Sequence, residues 1–249
     1  MGQLDGKVAV VTGGNSGIGL AIARAFSVEG AQVSIFGRDA ESLEATRSEL
    51  ASNCLTAVGD VRSLGDLRML VEETYEAFGA IDILVVNAGG ATIESFDEVD
   101  EESFNYQSDV NFKGAFFTIQ AALPMLSKGS SIILTSSSAN CRAAPGMSVY
   151  GAAKAAVRSL ARSLAVEFAE RGIRVNVLTP GPVETAAYAR TGLSASKIAE
   201  FQQSQAAQSP MGRIGQPSEI ASAALFLATQ SSSYMTGAEL VVDGGITQI

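Results

Sequence analysis

Short apolar runs alternate with longer amphipathic stretches along all 249 residues, and that alternation restricts the folds open to the chain. Runs at 7–12 (KVAVVT), 31–36 (AQVSIF), 54–58, 81–86 (IDILVV), 131–136 (SIILTS), 173–178 (IRVNVL) and 238–242 read as strands. They are apolar at nearly every position, so both faces of each strand need cover. Between them, 17–29, 39–52, 64–78, 100–106, 110–126, 149–170 and 217–228 read as helices. In 64–78, for example, Leu67, Leu70, Val71 and Phe78 fall near one face. Such regular alternation implies right-handed crossovers. The expected fold is α/β: a single-domain, Rossmann-type, doubly wound parallel sheet of about seven strands, flanked by helices on both faces. No linker divides residues 1–249. The one long irregular region is 180–215, with a short helix expected at 194–205. A segment that long after a strand end reads as a substrate lid around 183–215.

Composition removes several chemistries. The chain has no histidine, which excludes a Ser-His-Asp triad, a His-ligated metal and a His general base. Cys54 and Cys141 are the only cysteines, too few for a disulfide framework or a Cys-rich zinc site, so no metal is expected. Two free thiols suit a reducing cytoplasm. The net charge of −9 argues against a nucleic-acid partner, yet a few cations and backbone amides can still hold a phosphorylated ligand. No apolar run is long enough to span a membrane, and no basic-then-apolar leader opens the chain. A cytoplasmic protein is expected.

Between the first strand and first helix lies Thr12-Gly13-Gly14-Asn15-Ser16-Gly17-Ile18-Gly19. Glycines let such a turn approach a pyrophosphate, and the helix N-terminus supplies N–H groups and a positive dipole end. A tight structural loop is the plainer reading of a Gly-rich turn on its own. No Lys-Ser or Lys-Thr follows the last glycine, so this is not a Walker loop. In an open parallel sheet, ligands lie beyond the C-terminal strand edge. Five successive strand ends carry polar or glycine residues there: Arg38, Asp60, Asn87-Ala88-Gly89-Gly90, Ser136-Ser137-Ser138 and Pro180-Gly181-Pro182. An acid ending the second strand would favour NAD, whereas Phe36-Gly37-Arg38 places a guanidinium there. That suits a 2′-phosphate and points to NADP(H), with Ser16 a second contact. An ordinary surface arginine beside Asp39 is the alternative.

Tyr150, Lys154, Val157, Ala161, Leu164 and Phe168 recur at +4, +3, +4, +3, +4 and share one narrow face of the helix at 149–170. A lysine on a core-facing stripe is costly unless something uses it. Without histidine, Tyr150 is the best available acid for a carbonyl oxygen that gains negative charge. A free phenol has a pKa of about 10, and a neighbouring ammonium such as Lys154 favours the phenolate.

These residues together make the chain resemble the short-chain dehydrogenase/reductase family over essentially its whole length. The matches are T-G-x3-G-x-G at Thr12–Gly19, Asp60-Val61, Asn87-Ala88-Gly89, Asn111, Ser137, Tyr150-x3-Lys154, Pro180-Gly181-x3-Thr185 and Val242-Asp243-Gly244-Gly245. Val86 departs from the pattern, because many relatives have asparagine there. The resemblance assigns catalysis to Asn111, Ser137, Tyr150 and Lys154. Ser137 is chosen over Ser136 and Ser138 by its interval to Tyr150; for those two, capping and turn hydrogen bonds suffice. A helix-starting cap is the alternative for Asn111.

The same resemblance implies cofactor contacts at Gly13, Asn15, Ser16, Gly17, Ile18, Gly19, Arg38, Asp60, Val61, Asn87, Ala88, Gly89, Tyr150, Lys154, Pro180, Gly181, Val183 and Thr185. Ser137 would polarise a substrate carbonyl, Lys154 would reach the nicotinamide ribose, and Asn111 would hold a relay water. Ala139, Ala144, Met147, Tyr188 and Leu193 could join Ser137 and Tyr150 in lining a mostly apolar substrate pocket, though packing explains each equally well. The expected activity is NADP(H)-dependent reduction of a ketone or oxidation of a secondary alcohol. A 3-oxoacyl-thioester reductase is the close rival, with Arg142 and Arg190 the nearest cations for an acidic carrier. A non-catalytic NADP(H) sensor is the alternative of another class. The family also implies a homotetramer.

Overall fold

The computed structural model describes residues 2–50, 53–185 and 194–249. Among them, seven strands form one all-parallel sheet in the order β3-β2-β1-β4-β5-β6-β7. The strands are β1 (Val8–Thr12), β2 (Gln32–Gly37), β3 (Cys54–Val58), β4 (Ile81–Val86), β5 (Leu126–Thr135), β6 (Arg174–Pro180) and β7 (Glu239–Val242). The chain winds from β1 outwards to β3, crosses back to β4 beside β1, and then runs out to β7. The order reverses between β1 and β4, which opens a crevice at their C-terminal ends.

Alternate strand residues feed two cores, as the two-residue period of a strand demands. Val10, Leu84, Val86, Ile132, Leu134, Val175 and Val177 face helices α3 (Leu64–Phe78), α5 (Gly114–Ala122) and α6 (Ser148–Glu167). Ala9, Val11, Val33, Ile35, Ile83, Val85, Ile133 and Leu178 pack instead with α1 (Gly17–Val28), α2 (Ala40–Glu49) and α8 (Pro217–Ala228). Both faces of the central strands are therefore dry, as their uninterrupted apolar runs require. No helix among the described residues is long and apolar enough to cross a membrane.

Three stretches differ from the sequence reading. The two helices expected at 100–106 and 110–126 are one continuous helical path: α4 (Glu101–Ser108), a π-helical turn at Asp109–Lys113, α5, and a 3-10 turn at Leu123–Met125. The wider turn arises because Asn111 Nδ2 donates to the Gln107 carbonyl at 2.9 Å, taking the place of a main-chain donor. Gly114 N–H then bonds back to Asp109 O, five residues earlier. β5 begins at Leu126 rather than 131, and its register with β4 shifts between Ile81 and Ile83. The polar Ser127-Lys128-Gly129 insertion, with Gly129 at φ 87°, hides that early start from an apolar-run search. The helix expected at 194–205 runs as α7 (Ala195–Gln208), and no side chain on it is buried. The excursion carrying α7 is joined at its base, where Val183 pairs with Gly215 and Glu184 N donates to Gly215 O at 2.9 Å.

Candidate active site

The Gly-rich turn needs its glycines for different reasons. Gly13 and Gly17 sit at φ 66° and 53°, a left-handed conformation that other residues rarely adopt. Gly19 is a packing requirement, since a Cβ there would lie 2.1 Å from Gly13 O. Asn15 reaches sideways, its Nδ2 donating to Ser42 Oγ at 2.7 Å, and Gly37 leaves room for it. Ser16 is the N-cap of α1, but its side chain does not cap the helix, and no acid occupies the first turn. Helices α2, α3, α4 and α8 do carry acids in that turn. The dipole end of α1, with no acid in its first turn and glycines that let a ligand approach, therefore fits a pyrophosphate. Ile18 packs on the α1–α8 side of the core. Thr185 lies against Gly17, 3.3 Å from where a Cβ would stand, so the start of the proposed lid touches the turn.

Thr12, which sequence reasoning gave no role beyond the motif, stitches the crevice together. Its buried Oγ1 accepts from Asn87 N at 3.0 Å and Ala88 N at 3.1 Å, while Asn87 Nδ2 donates to Thr12 O at 3.1 Å. Asn87 thus fastens β4 to β1 and frames the crevice. A fully buried threonine ending an apolar strand was the available signal.

On the far side of the crevice, the α6 stripe is buried at Lys154, Val157, Ala161 and Leu164, and at Phe168 just beyond it. Lys154 is only 3 % exposed. Its Nζ donates to Thr135 O at 2.9 Å and lies 5.7 Å from the centroid of the Tyr150 ring. Burial lowers the Lys154 pKa to about 8, which leaves it mostly cationic at neutral pH. Burial raises the Tyr150 phenol, and a hydrogen bond with Ser137 opposes that rise. Gly89 completes the cluster. A Cβ there would lie 2.7 Å from Asn111 Oδ1 and 3.1 Å from Lys154 Nζ, so glycine keeps a gap between amide and ammonium.

Asn111 does not start a helix as a cap. It is buried inside the π-helical turn, with Nδ2 also donating to Gly90 O at 2.9 Å and Oδ1 accepting from Gly90 N at 3.1 Å. The irregular turn aims this amide at the loop after β4. The cap expected of Ser138 belongs to Ser137, whose Oγ accepts from Ala139 N at 3.2 Å. Ser136 instead donates to Lys154 O at 3.0 Å.

Behind these residues runs a polar network that the sequence did not disclose. Asn140 Nδ2 donates to Ser136 Oγ at 3.2 Å and to Glu239 Oε1 at 2.6 Å. Glu239 also accepts from Thr179 at 2.7 Å and pairs with Arg158 at 3.0 Å. Burial alone would raise the Glu239 pKa; hydrogen bonds from Thr179, Asn140 and Arg158 outweigh it and hold the carboxyl low. The serine loop, α6 and edge strand β7 are thus tied through one carboxylate.

At the other end of the crevice, Val61 is buried while Arg38 and Arg62 are exposed. Asp60 is held by Arg62, with Nη2 to Oδ2 at 2.7 Å, and hydrogen bonding to Arg62 keeps its carboxyl below the usual range. Pro180 ends β6. Gly181 N donates to Val242 O at 3.0 Å, in a contact so close that a Cβ would meet Asp243 Cα at 2.7 Å. Ala139 and Met147 are half-buried and Ala144 is exposed. Gly151 lets the serine loop press onto α6, since a Cβ there would meet Ala139 O at 2.9 Å. Tyr188, Leu193 and Arg190 lie outside the described residues. Arg142 bonds to Gln208 of α7. Among the described residues, no group of three or more His, Cys, Asp or Glu could hold a metal ion.

Residues 13–247 match the protein family described as enoyl-(acyl carrier protein) reductase. An oxidoreductase of Sarocladium schorii, asL5, is 44% identical over 99% of this chain and 98% of its own length. The galactitol 2-dehydrogenase (L-tagatose-forming) of Cereibacter sphaeroides is 40% identical over 98% of this chain and 96% of its length. A crystal structure of a Brucella melitensis short-chain dehydrogenase/reductase superposes with a TM-score of 0.94 at 34% identity, each chain covered completely. A Caenorhabditis elegans short-chain dehydrogenase/reductase solved with cofactor gives 0.94 at 32% identity, covering 99% of this chain and 97% of that one. With sequence and backbone agreeing from end to end, this oxidoreductase belongs to the short-chain dehydrogenase/reductase family.

Proposed function

We propose that the protein interconverts ketones and secondary alcohols with NADP(H), using Tyr150 as general acid and base. The observation that carries this reading is the buried Lys154 ammonium held over the Tyr150 ring, across the crevice from an anion-ready helix terminus. The dinucleotide, when bound, supplies or accepts the hydride. Ser137, close enough to Tyr150 to favour its phenolate, orients the carbonyl oxygen, and Tyr150 Oη gives it a proton. Lys154 steadies the resulting phenolate. Asn111 has both amide hydrogens committed, but Oδ1 keeps one acceptor site facing the Gly89 gap. A water there would accept from Lys154 and donate to Asn111, giving the proton a way out.

Arg38 favours NADP(H) over NAD(H), because a guanidinium suits a 2′-phosphate. The name of the galactitol relative, an oxidation forming L-tagatose, agrees with alcohol–ketone chemistry. A cytoplasmic homotetramer belongs to the same proposal; exposed Phe104, Phe116 and Val166 on α4, α5 and α6, and Phe226 and Tyr234 near β7, offer apolar faces for it. A second reading, reduction of an acyl-thioester, is favoured by the acyl-carrier description of the matching family. Against it, the Arg142 guanidinium is engaged by Gln208 rather than open to an acidic carrier.

Deuteride transfer from labelled NADPH tests these readings with one panel. Incorporation at the carbinol carbon of simple ketones is expected. Incorporation only into 3-oxoacyl- or enoyl-thioesters would replace the first reading by the second, and none into any acceptor would overturn both.

A further inference from the structure

Two guanidiniums converge on one phenol at the ends of β2 and β3. Arg38 Nη1 donates to Tyr106 Oη at 3.1 Å. The Arg62 guanidinium lies 4.9 Å from the centroid of the same ring. Asp60 grips Arg62 from behind: Oδ1 accepts from Arg62 N at 2.9 Å, and Oδ2 accepts from Nε at 3.0 Å and Nη2 at 2.7 Å. Tyr106 projects from α4, and the residue is 37% exposed.

The charges decide what this cluster can hold. Two arginines face Asp60, and Asp109, whose charge also reaches Arg62, is paired with Lys113, so the cluster stays net positive on a chain whose total is −9. Among the described residues Arg38 makes no close ion pair, although its charge reaches Asp60; its fork is bonded to the Tyr106 oxygen and retains most of its donors. Tyr106 accepts there, so its own hydroxyl hydrogen is still available to an anion. Asp60, at the end of β3, would repel a phosphate placed near Arg38, and the Arg62 pair cancels that charge.

We propose that Tyr106 is a specificity-determining residue. Its phenol holds Arg38 against the 2′-phosphate of the dinucleotide and donates to that phosphate, while Arg62, paired with Asp60, screens that carboxylate from the phosphate. This inference rests on the NADP(H) reading of Arg38 and extends it to a residue 68 positions away in sequence.

Calorimetric titration of the full chain with 2′,5′-ADP and with 5′-AMP tests it without turnover. The wild type should bind 2′,5′-ADP at least about tenfold more tightly, as charge-assisted hydrogen bonds would give. Tyr106→Phe keeps the ring under Arg62 and removes only the hydroxyl. It should weaken 2′,5′-ADP about three- to tenfold and leave 5′-AMP within about twofold. Arg62→Met should act in the same direction. If the wild type does not discriminate, the NADP(H) reading falls and this inference falls with it. If the wild type discriminates, Arg38→Gln abolishes the difference and Tyr106→Phe preserves it, the inference alone is overturned.

Discussion

The two ends of the crevice manage charge in opposite ways. At the end proposed for the adenosine, Arg38, Arg62 and Tyr106 stand in solvent and hold one another by contacts between exposed or half-exposed groups. At the end proposed for proton transfer, Lys154 and Asn111 are 3% and 1% exposed, and their side chains bond to backbone groups of β5, α4 and the loop after β4. Solvent screens the first set, so its geometry costs little stability and its ligand preference is open to change. The second set exists only inside a finished fold, where an ammonium carries a desolvation cost that shifts its proton affinity. The proposed function would thereby separate ligand choice from chemistry along one cleft.

The largest effect should come from Tyr150→Phe. Removal of the general acid predicts a turnover loss of at least about 10²-fold. Dinucleotide binding, followed by nicotinamide fluorescence, should stay within about twofold of wild type, since the ring is kept. Near-normal turnover would show that the buried end does not perform the proton transfer.

Lys154→Met probes the cost of burial directly. A folded-state pKa of about 8 against an ordinary 10.5 corresponds to about 3 kcal/mol opposing the folded state whenever the amine is protonated in both states. Loss of the bond to Thr135 O gives back about 1 kcal/mol. At pH 7 the variant should therefore be more stable by about 2 kcal/mol in urea unfolding, though catalytically impaired. Between pH 8 and 10.5 the unfolded wild type binds more protons than the folded form, so wild-type stability rises with pH there and the gap closes. A gap independent of pH across that window would mean that the ammonium is not strained by burial.

The exposed end should respond in ligand preference and hardly at all in stability. Arg38→Asp is expected to lower the NADPH/NADH ratio of kcat/KM by at least about tenfold, as a carboxylate would repel the 2′-phosphate. Its unfolding free energy should move by less than about 0.5 kcal/mol, as for other exposed charges. An unchanged ratio would erase the proposed division of labour.

Much of the fold was legible because its signals are local. The apolar runs at β1, β4 and β6 located strands to within about two residues, and the stripe through Tyr150 and Lys154 located α6 and its buried face. The helical path 101–125 was misread because a single side chain, Asn111, opens the backbone ladder, and no periodicity records that. β5 was entered late because its first residues are polar. In the site, the burial of Lys154 was legible from the α6 stripe, whereas the bonds that Lys154, Asn111 and Ser137 make were not. Ser137 caps a turn, Asn87 ties two strands, and Asp60 is occupied by its neighbour Arg62.

Residue type and spacing by themselves determined a parallel α/β fold, a Gly-rich turn at its first crossover, and a tyrosine and lysine on one buried helical face. Each of these depends on neighbours within a turn or two of chain. Tertiary structure alone decided which polar groups meet, because Arg38 with Tyr106 and Asn140 with Glu239 are brought together across 68 and 99 residues. Contacts of that range are set by the order in which strands join the sheet, and leave no periodic trace in the chain that makes them.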